Sequence, residues 1–170
     1  FIYVGGYSSG FFDGQTNAGG YDFYLAQYRN DGTKVWTRSA GTPSTDLSYN
    51  IATSSDGSIY ISGYVARDLD GQTIAGSYDG AVIKYNSDGD KIWTRLFGGG
   101  NTDVSYNVHA SSDGNIYLTG YTYGIDGQTS AGGADVFVVK YSSDGDKIWT
   151  RVFGTSANDD SRDVATSLGK

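Results

Sequence analysis

The chain has 170 residues, with 12 Lys and Arg against 19 Asp and Glu, giving a formal net charge of −7 at pH 7 and an acidic pI near 4.4. That balance excludes nucleic acid and anionic membrane surfaces as natural partners, and no apolar run has the length of a membrane-spanning helix, so no membrane insertion is expected. Cys is absent, which excludes disulfides and thiolate metal centres; Met is absent too, which puts any export signal outside these residues.

The chain opens on an extended run, Ile2-Tyr-Val-Gly-Gly-Tyr7, followed by a loop with Asp13-Gly14-Gln15-Thr16 and later by Val35-Trp36-Thr37-Arg38. Beyond Pro43, the only proline, Asp46-Leu-Ser-Tyr-Asn-Ile-Ala-Thr-Ser-Ser-Asp-Gly57 begins a cycle. It continues through Ile59-Tyr-Ile-Ser-Gly-Tyr64, a second Asp-Gly-Gln-Thr loop at residues 70–73, and Ile92-Trp93-Thr94-Arg95. The cycle restarts at Asp103-Val-Ser-Tyr-Asn-Val-His, passes Ile116-Tyr-Leu-Thr-Gly-Tyr121 and the loop at 126–129, and reaches Ile148-Trp149-Thr150-Arg151. Asp159-Asp-Ser-Arg-Asp-Val-Ala-Thr-Ser167 then opens it once more. The tryptophans are spaced by 57 and 56 residues, and Ser87–Arg95 recurs unchanged as Ser143–Arg151. The missing residue falls in a loop, where Val65–Leu69 is replaced by Thr122–Ile125.

Each cycle holds four β-branched and aromatic runs; in the third they are Tyr106–Ala110, Ile116–Tyr121, Val136–Tyr141 and Lys147–Phe153. Ser-Ser-Asp-Gly joins the first two runs and Ser-Asp-Gly-Asp the last two, as tight antiparallel turns require. A four-stranded unit of this period predicts an all-β fold, a β-propeller of four-stranded antiparallel blades. It is too long for a solenoid coil and too regular for a sandwich. Three repeats are expected per chain, with one blade split between the N- and C-termini. Residues 1–45 supply strands two to four of a blade, 46–102 and 103–158 supply full blades, and 159–170 supply a first strand, Arg162–Ser167.

The pattern Asp-Gly-x-Ile-Tyr-x-x-Gly-Tyr, then Ala-Gly-x-x-Asp-x-x-Val-x-Lys-Tyr, then Ser-Asp-Gly-Asp-Lys-Ile-Trp-Thr-Arg resembles the bacterial β-propeller repeat family called SBBP, over residues 1–170. The resemblance implies a secreted or cell-surface bacterial protein with no shared catalytic residues. The first repeat departs from the pattern at Arg29-Asn30-Asp31-Gly32-Thr33 and at Ser39-Ala40.

Three blades leave too wide a wedge between sheets to close a ring. The terminal strand is therefore expected to complete the first blade of another copy, giving a homodimer with a six-bladed ring; the alternative is a piece of a longer propeller.

Ligand chemistry is expected first at the long loop between strands two and three, through Asp13, Gln15, Asp70, Gln72, Asp126 and Gln128, which offer acceptors and donors for sugar hydroxyls or a peptide backbone. Bracing of the loop is the competing reading. Asp46, Asp103 and Asp159 enter the innermost strands and are expected near one channel mouth, holding a cation or capping the preceding loop. Calcium fragments at Asp68-Leu69-Asp70-Gly71 and Asp88-Gly89-Asp90 lack the full ligand pattern, so no metal or other cofactor is expected. His109, the only histidine, has neither a catalytic partner nor co-ligands in the pattern, so no catalytic residue and no enzyme is expected. The tryptophans are expected to pack between sheets. These readings predict a non-catalytic binding or adhesion module for glycans or surface proteins, with a purely structural spacer or lattice protein as the alternative.

Overall fold

The computed structural model describes residues 1–167, which form antiparallel sheets and, among those residues, no helix. The first sheet has three strands, β1 (Ile2–Ser8), β2 (Asp22–Tyr28) and β3 (Lys34–Ala40), in that order. The second has four, β4 (Leu47–Thr53), β5 (Ile59–Val65), β6 (Asp79–Tyr85) and β7 (Lys91–Phe97), again in chain order. In the third, β8 (Val104–Ala110) and β9 (Ile116–Thr122) precede a two-residue hairpin, β10 (Gly124–Ile125) with β11 (Gln128–Thr129). β12 (Asp135–Tyr141) and β13 (Lys147–Phe153) complete it in the order β13-β12-β9-β8. This all-β, propeller-like arrangement is the expected one.

The sheets stack face to face, and burial follows from that stacking. Phe23 and Leu25 of the first sheet meet Ile59, Ile61, Ala81 and Ile83 of the second. On its other face the second sheet packs Tyr60, Val82 and Phe97 against Leu118, Phe137 and Val139 of the third. A strand covered on both sides cannot alternate apolar with polar residues, which explains why β6 reads Gly-Ala-Val-Ile and is buried along its whole length.

The turns behave as their composition requires. In Ser54-Ser-Asp-Gly57 the N–H of Gly57 donates to the Ser54 carbonyl at 3.0 Å, and Gly57 has a φ of +83°. A second glycine role is visible only in the fold. The ladder between β4 and β5 shifts register between Ser48 and Asn50, a bulge that bends β4 against Gly63. A Cβ on Gly63 would lie 1.9 Å from the Leu47 carbonyl oxygen, and one on Gly120 would lie 1.9 Å from that of Val104. Glycine is required because two backbones touch there.

The first sheet and the chain's last described residues differ from this pattern. β1 pairs only with β2 among the described residues, whereas its counterparts β5 and β9 are paired on both sides. Ile2 and Val4 are consequently 48% and 41% exposed, against 0% and 1% for the matching Ile59 and Ile61. Arg162–Ser167, expected as a strand, forms no ladder among the described residues and is not one. The segment is nevertheless held in place. Asp159 N–H donates to the Ala134 carbonyl at 2.6 Å, as Asp46 does to Tyr21 and Asp103 to Tyr78. Residues 168–170, the end of the expected closing strand, lie outside the described residues.

Candidate functional site

The Asp-Gly-Gln-Thr loops are tight hairpins. Asp13, Asp70 and Asp126 have φ values of 52°, 51° and 54°, and the glycines after them have 75°, 76° and 74°. Consecutive left-handed residues make a type I′ turn, for which Asp-Gly is suited. Each carboxylate reaches the outer strand of its own sheet: Asp13 accepts from Lys34 and Thr37, Asp70 from Lys91 and Thr94, Asp126 from Lys147 and Thr150. Burial raises the Asp70 and Asp126 pKa values, but these hydrogen bonds outweigh it and hold both below the usual carboxylate range. The Gln72 amide donates to the Thr94 carbonyl at 2.6 Å and accepts from Leu96 N–H at 3.1 Å; Gln128 repeats this with Thr150 and Val152. Gln72 and Gln128 thus extend the outer strand's edge by two bonds each. In the first repeat Ser39 Oγ, not Gln15, ties the loop to that strand, donating to the Thr16 carbonyl at 3.0 Å.

Asp46 and Asp103 are 0% and 1% exposed, so they do not face an open mouth. They cap loops. Asp46 accepts from Thr42 N–H and from Ala66 N–H, Asp103 from Gly99 N–H and the Thr122 hydroxyl, and Asp159 from Thr155 N–H. A second buried carboxylate stands beside each of the first two, Asp22 near Asp46 and Asp79 near Asp103. The space between the latter pair is closed by Gly98, whose Cβ would fall 2.7 Å from both Asp103 Oδ2 and Asp79 Cγ. Burial, reinforced by Asp79, pushes Asp103 up to about 6 against the bonds from Thr122 and Gly99. A carboxyl with a raised folded pKa contributes stability that is complete below the unfolded value and lost as pH rises through about 6. Asp103→Asn should therefore gain on the parent by about 2–3 kcal/mol between roughly pH 4 and pH 7, measured by denaturant unfolding. A constant difference would show that Asp103 titrates normally.

His109 Nε2 lies 2.9 Å from Thr166 Oγ1, which in turn donates to Ser111 Oγ at 3.0 Å, so it helps to seat the terminal segment. Asp68 Oδ1 accepts from Ile74 N–H and Asp90 Oδ2 from the Asn86 amide; among the described residues no three acidic or histidine side chains are grouped as metal ligands.

The tryptophan–arginine pairs clasp the next sheet. Arg38 lies over the Trp36 ring at 5.3 Å; Trp36 Nε1 donates to the Ser87 carbonyl at 3.3 Å and Arg38 Nε to the Gly89 carbonyl at 2.8 Å. Arg95 and Trp93 do the same one sheet later, reaching the carbonyls of Gly145 at 2.6 Å and Ser143 at 3.1 Å. Each Ser-Asp-Gly-Asp turn is thus the part of a sheet that its neighbour grips. The third pair is already formed, with Arg151 5.6 Å over Trp149 and Nη1 bonded to the Thr150 carbonyl, as Arg38 and Arg95 bond theirs. It grips no turn among the described residues, and Phe153 beside it is 57% exposed against 3% for the matching Phe97.

Residues 92–126 match the SBBP β-propeller repeat and residues 54–91 match a β-propeller domain of unknown function, DUF5122. Residues 54–126 thus resemble β-propeller repeats. The two matched stretches run on from each other and cut across the sheets, from the turn before β5 to the hairpin after β9, so the repeat unit and the sheet are offset. The propeller repeats also resemble the regulatory protein FlaEY of Caulobacter vibrioides, at 28% identity over 171 residues. That alignment takes in 91% of this chain and 18% of the relative.

Proposed function

We propose that the chain is a non-catalytic propeller module that completes a six-bladed ring with a second copy, and that the finished ring binds glycans or proteins at a bacterial surface. The observation that carries the assembly is Gly6. It occupies the place of Gly63 and Gly120, yet the three atoms nearest its Cβ would all belong to the Tyr24 side chain, at 3.0–3.1 Å, where the other two meet a backbone carbonyl at 1.9 Å. A glycine shaped for a bulged inner strand thus stands on a strand that has none in this chain. The terminal segment supplies the match. Carrying over the register of β4 on β5 pairs Asp160 with Tyr7, Ser161 with Gly6, Asp163 with Gly5 and Val164 with Val4, and puts the bulge at Arg162. Trp149 and Arg151 would take the turn Asn30-Asp31-Gly32 of the second copy, which departs in sequence but keeps the left-handed glycine, φ +85°.

The ring's binding face is read onto four exposed tyrosines, Tyr49 on β4, Tyr7 on β1, and Tyr21 and Tyr78 just ahead of β2 and β6. Tyr7, Tyr21, Tyr49 and Tyr78 are between 37% and 45% exposed, with edge contacts from Tyr7 to Tyr21 and from Tyr64 to Tyr78. Exposed aromatics suit recognition of sugars and peptides, whereas most polar atoms of the Asp-Gly-Gln-Thr loops are used within their own sheets.

A double variant, Val4→Cys with Val164→Cys, tests the pairing in a chain that has no other cysteine. Mild oxidation should yield a covalent dimer, because opposed strand residues lie within disulfide reach. A bridge inside one chain, or none, would contradict the exchange.

A further inference from the structure

We infer that the pocket between the third sheet and the terminal segment binds a quaternary ammonium group, as a free cation or on a lipid head group. The pocket has a volume of about 330 Å³ and is lined by Tyr121, Tyr123, Ala134, Asn158, Asp159 and Asp160. Four of those six break the repeat. Ala134 stands where the other sheets have Tyr21 and Tyr78, Tyr123 where they have Ser9 and Ala66, Asn158 where they have Thr45 and Thr102, and Asp160 where they have Leu47 and Val104. Features shared by all three sheets are accounted for by packing; four departures meeting in one cavity are not.

The consequence is geometric. In the first two sheets the Tyr21 and Tyr78 rings fill this place, packing edge-on against Tyr7 at 5.4 Å and Tyr64 at 5.0 Å. At the third, Ala134 withdraws the ring, and Tyr121 instead meets Tyr123 at 6.2 Å with the planes 89° apart. Two perpendicular aromatic walls and the Ala134 methyl group form an apolar corner. The Asp159 and Asp160 carboxylates close it, each with one oxygen lacking a partner among the described residues.

The neighbouring cation pairs with one oxygen of Asp160, while Asp159 has no cation partner among the described residues. Arg162 donates to Asp160 Oδ2 at 2.6 Å and lies 3.8 Å over the Tyr106 ring. Aromatic faces and carboxylates together favour a cation with methyl groups around its charge, which loses less hydration than a primary ammonium on entering. The counterparts of Asp159 and Asp160 are covered where a following sheet is present, Asp46 and Asp103 being 0% and 1% exposed and Val104 3%, so the site belongs to the chain before a second copy completes the ring, and ligand and second copy compete for it.

Calorimetric titration with choline chloride tests the site on the single chain, at a concentration where its mass is 18.1 kDa, with the uncharged carbon isostere of choline and glucose as controls and phosphatidylcholine vesicles as a separate arm. Choline should bind at least about tenfold more tightly than the isostere, and response to vesicles as well as free choline would place the site's ligand on a lipid. Ala134→Tyr should abolish binding with an unchanged melting temperature, and Asp160→Asn should weaken it severalfold. If Ala134→Tyr fails to fold, Tyr123→Ala serves, with binding reduced about tenfold. Equal binding of the isostere, preference for glucose, no binding of choline, or full binding by a folded Ala134→Tyr variant would each overturn the assignment.

Discussion

Trp93→Ala will lower the stability of the chain by about 3–5 kcal/mol, the range for truncating a large aromatic at a packed site. Three losses coincide there. The indole packs against the core formed by the second and third sheets and lies 5.9 Å from the Tyr60 ring. Its N–H satisfies the Ser143 carbonyl, and its face supports Arg95 in the grip on Gly145. Trp149→Ala provides the internal comparison. Its indole meets Tyr117 at 6.0 Å but no following turn among the described residues, so in dilute protein it should cost clearly less. Thermal or denaturant unfolding of the two variants measures the difference. Equal losses would mean that the grip on the next turn contributes nothing.

Gly63→Ala and Gly6→Ala will separate folding from assembly. At Gly63 the added methyl meets the Leu47 carbonyl oxygen at 1.9 Å, a backbone atom fixed by the ladder, so β4 must leave β5 or the bulge must flatten. A loss of about 3 kcal/mol or more is expected, at the upper end for a single substitution. At Gly6 the nearest atoms to the same methyl are those of the Tyr24 side chain, at 3.0–3.1 Å, which can shift. The variant should fold with a melting temperature near the parent's, yet fail to associate, because the carbonyl of Asp160 from a second copy would occupy the contested position. A Gly6→Ala variant that still associates would exclude the strand pairing proposed here.

The strands and turns were legible in the sequence because they rest on local chemistry. β-Branched and aromatic runs bounded by Asp-Gly placed β8, β9, β12 and β13 to within about two residues, and the recurring Trp-Thr-Arg put an outer strand in every sheet. The bulge opposite Gly63 was not legible, since it depends on the register between two strands, each of which reads as regular. The partnership of Asp79 with Asp103 was hidden similarly: 24 residues separate them, and only the fold sets them side by side. Recurrence could not tell a binding loop from a braced one. Gln72 would look the same in either role, and its bonds to Thr94 and Leu96 decide that it braces. The tyrosine corner was missed for the opposite reason, because Ala134, Tyr123 and Asp160 draw notice only against the residues they replace.

Two copies are proposed to close what one leaves open, and mass in solution tests this most directly. Light scattering coupled to size exclusion, run over a range of concentrations on the chain of 18.1 kDa, should give a species of twice that mass and no larger series. A folded monomer at every concentration, or an open-ended ladder of polymers, would contradict it.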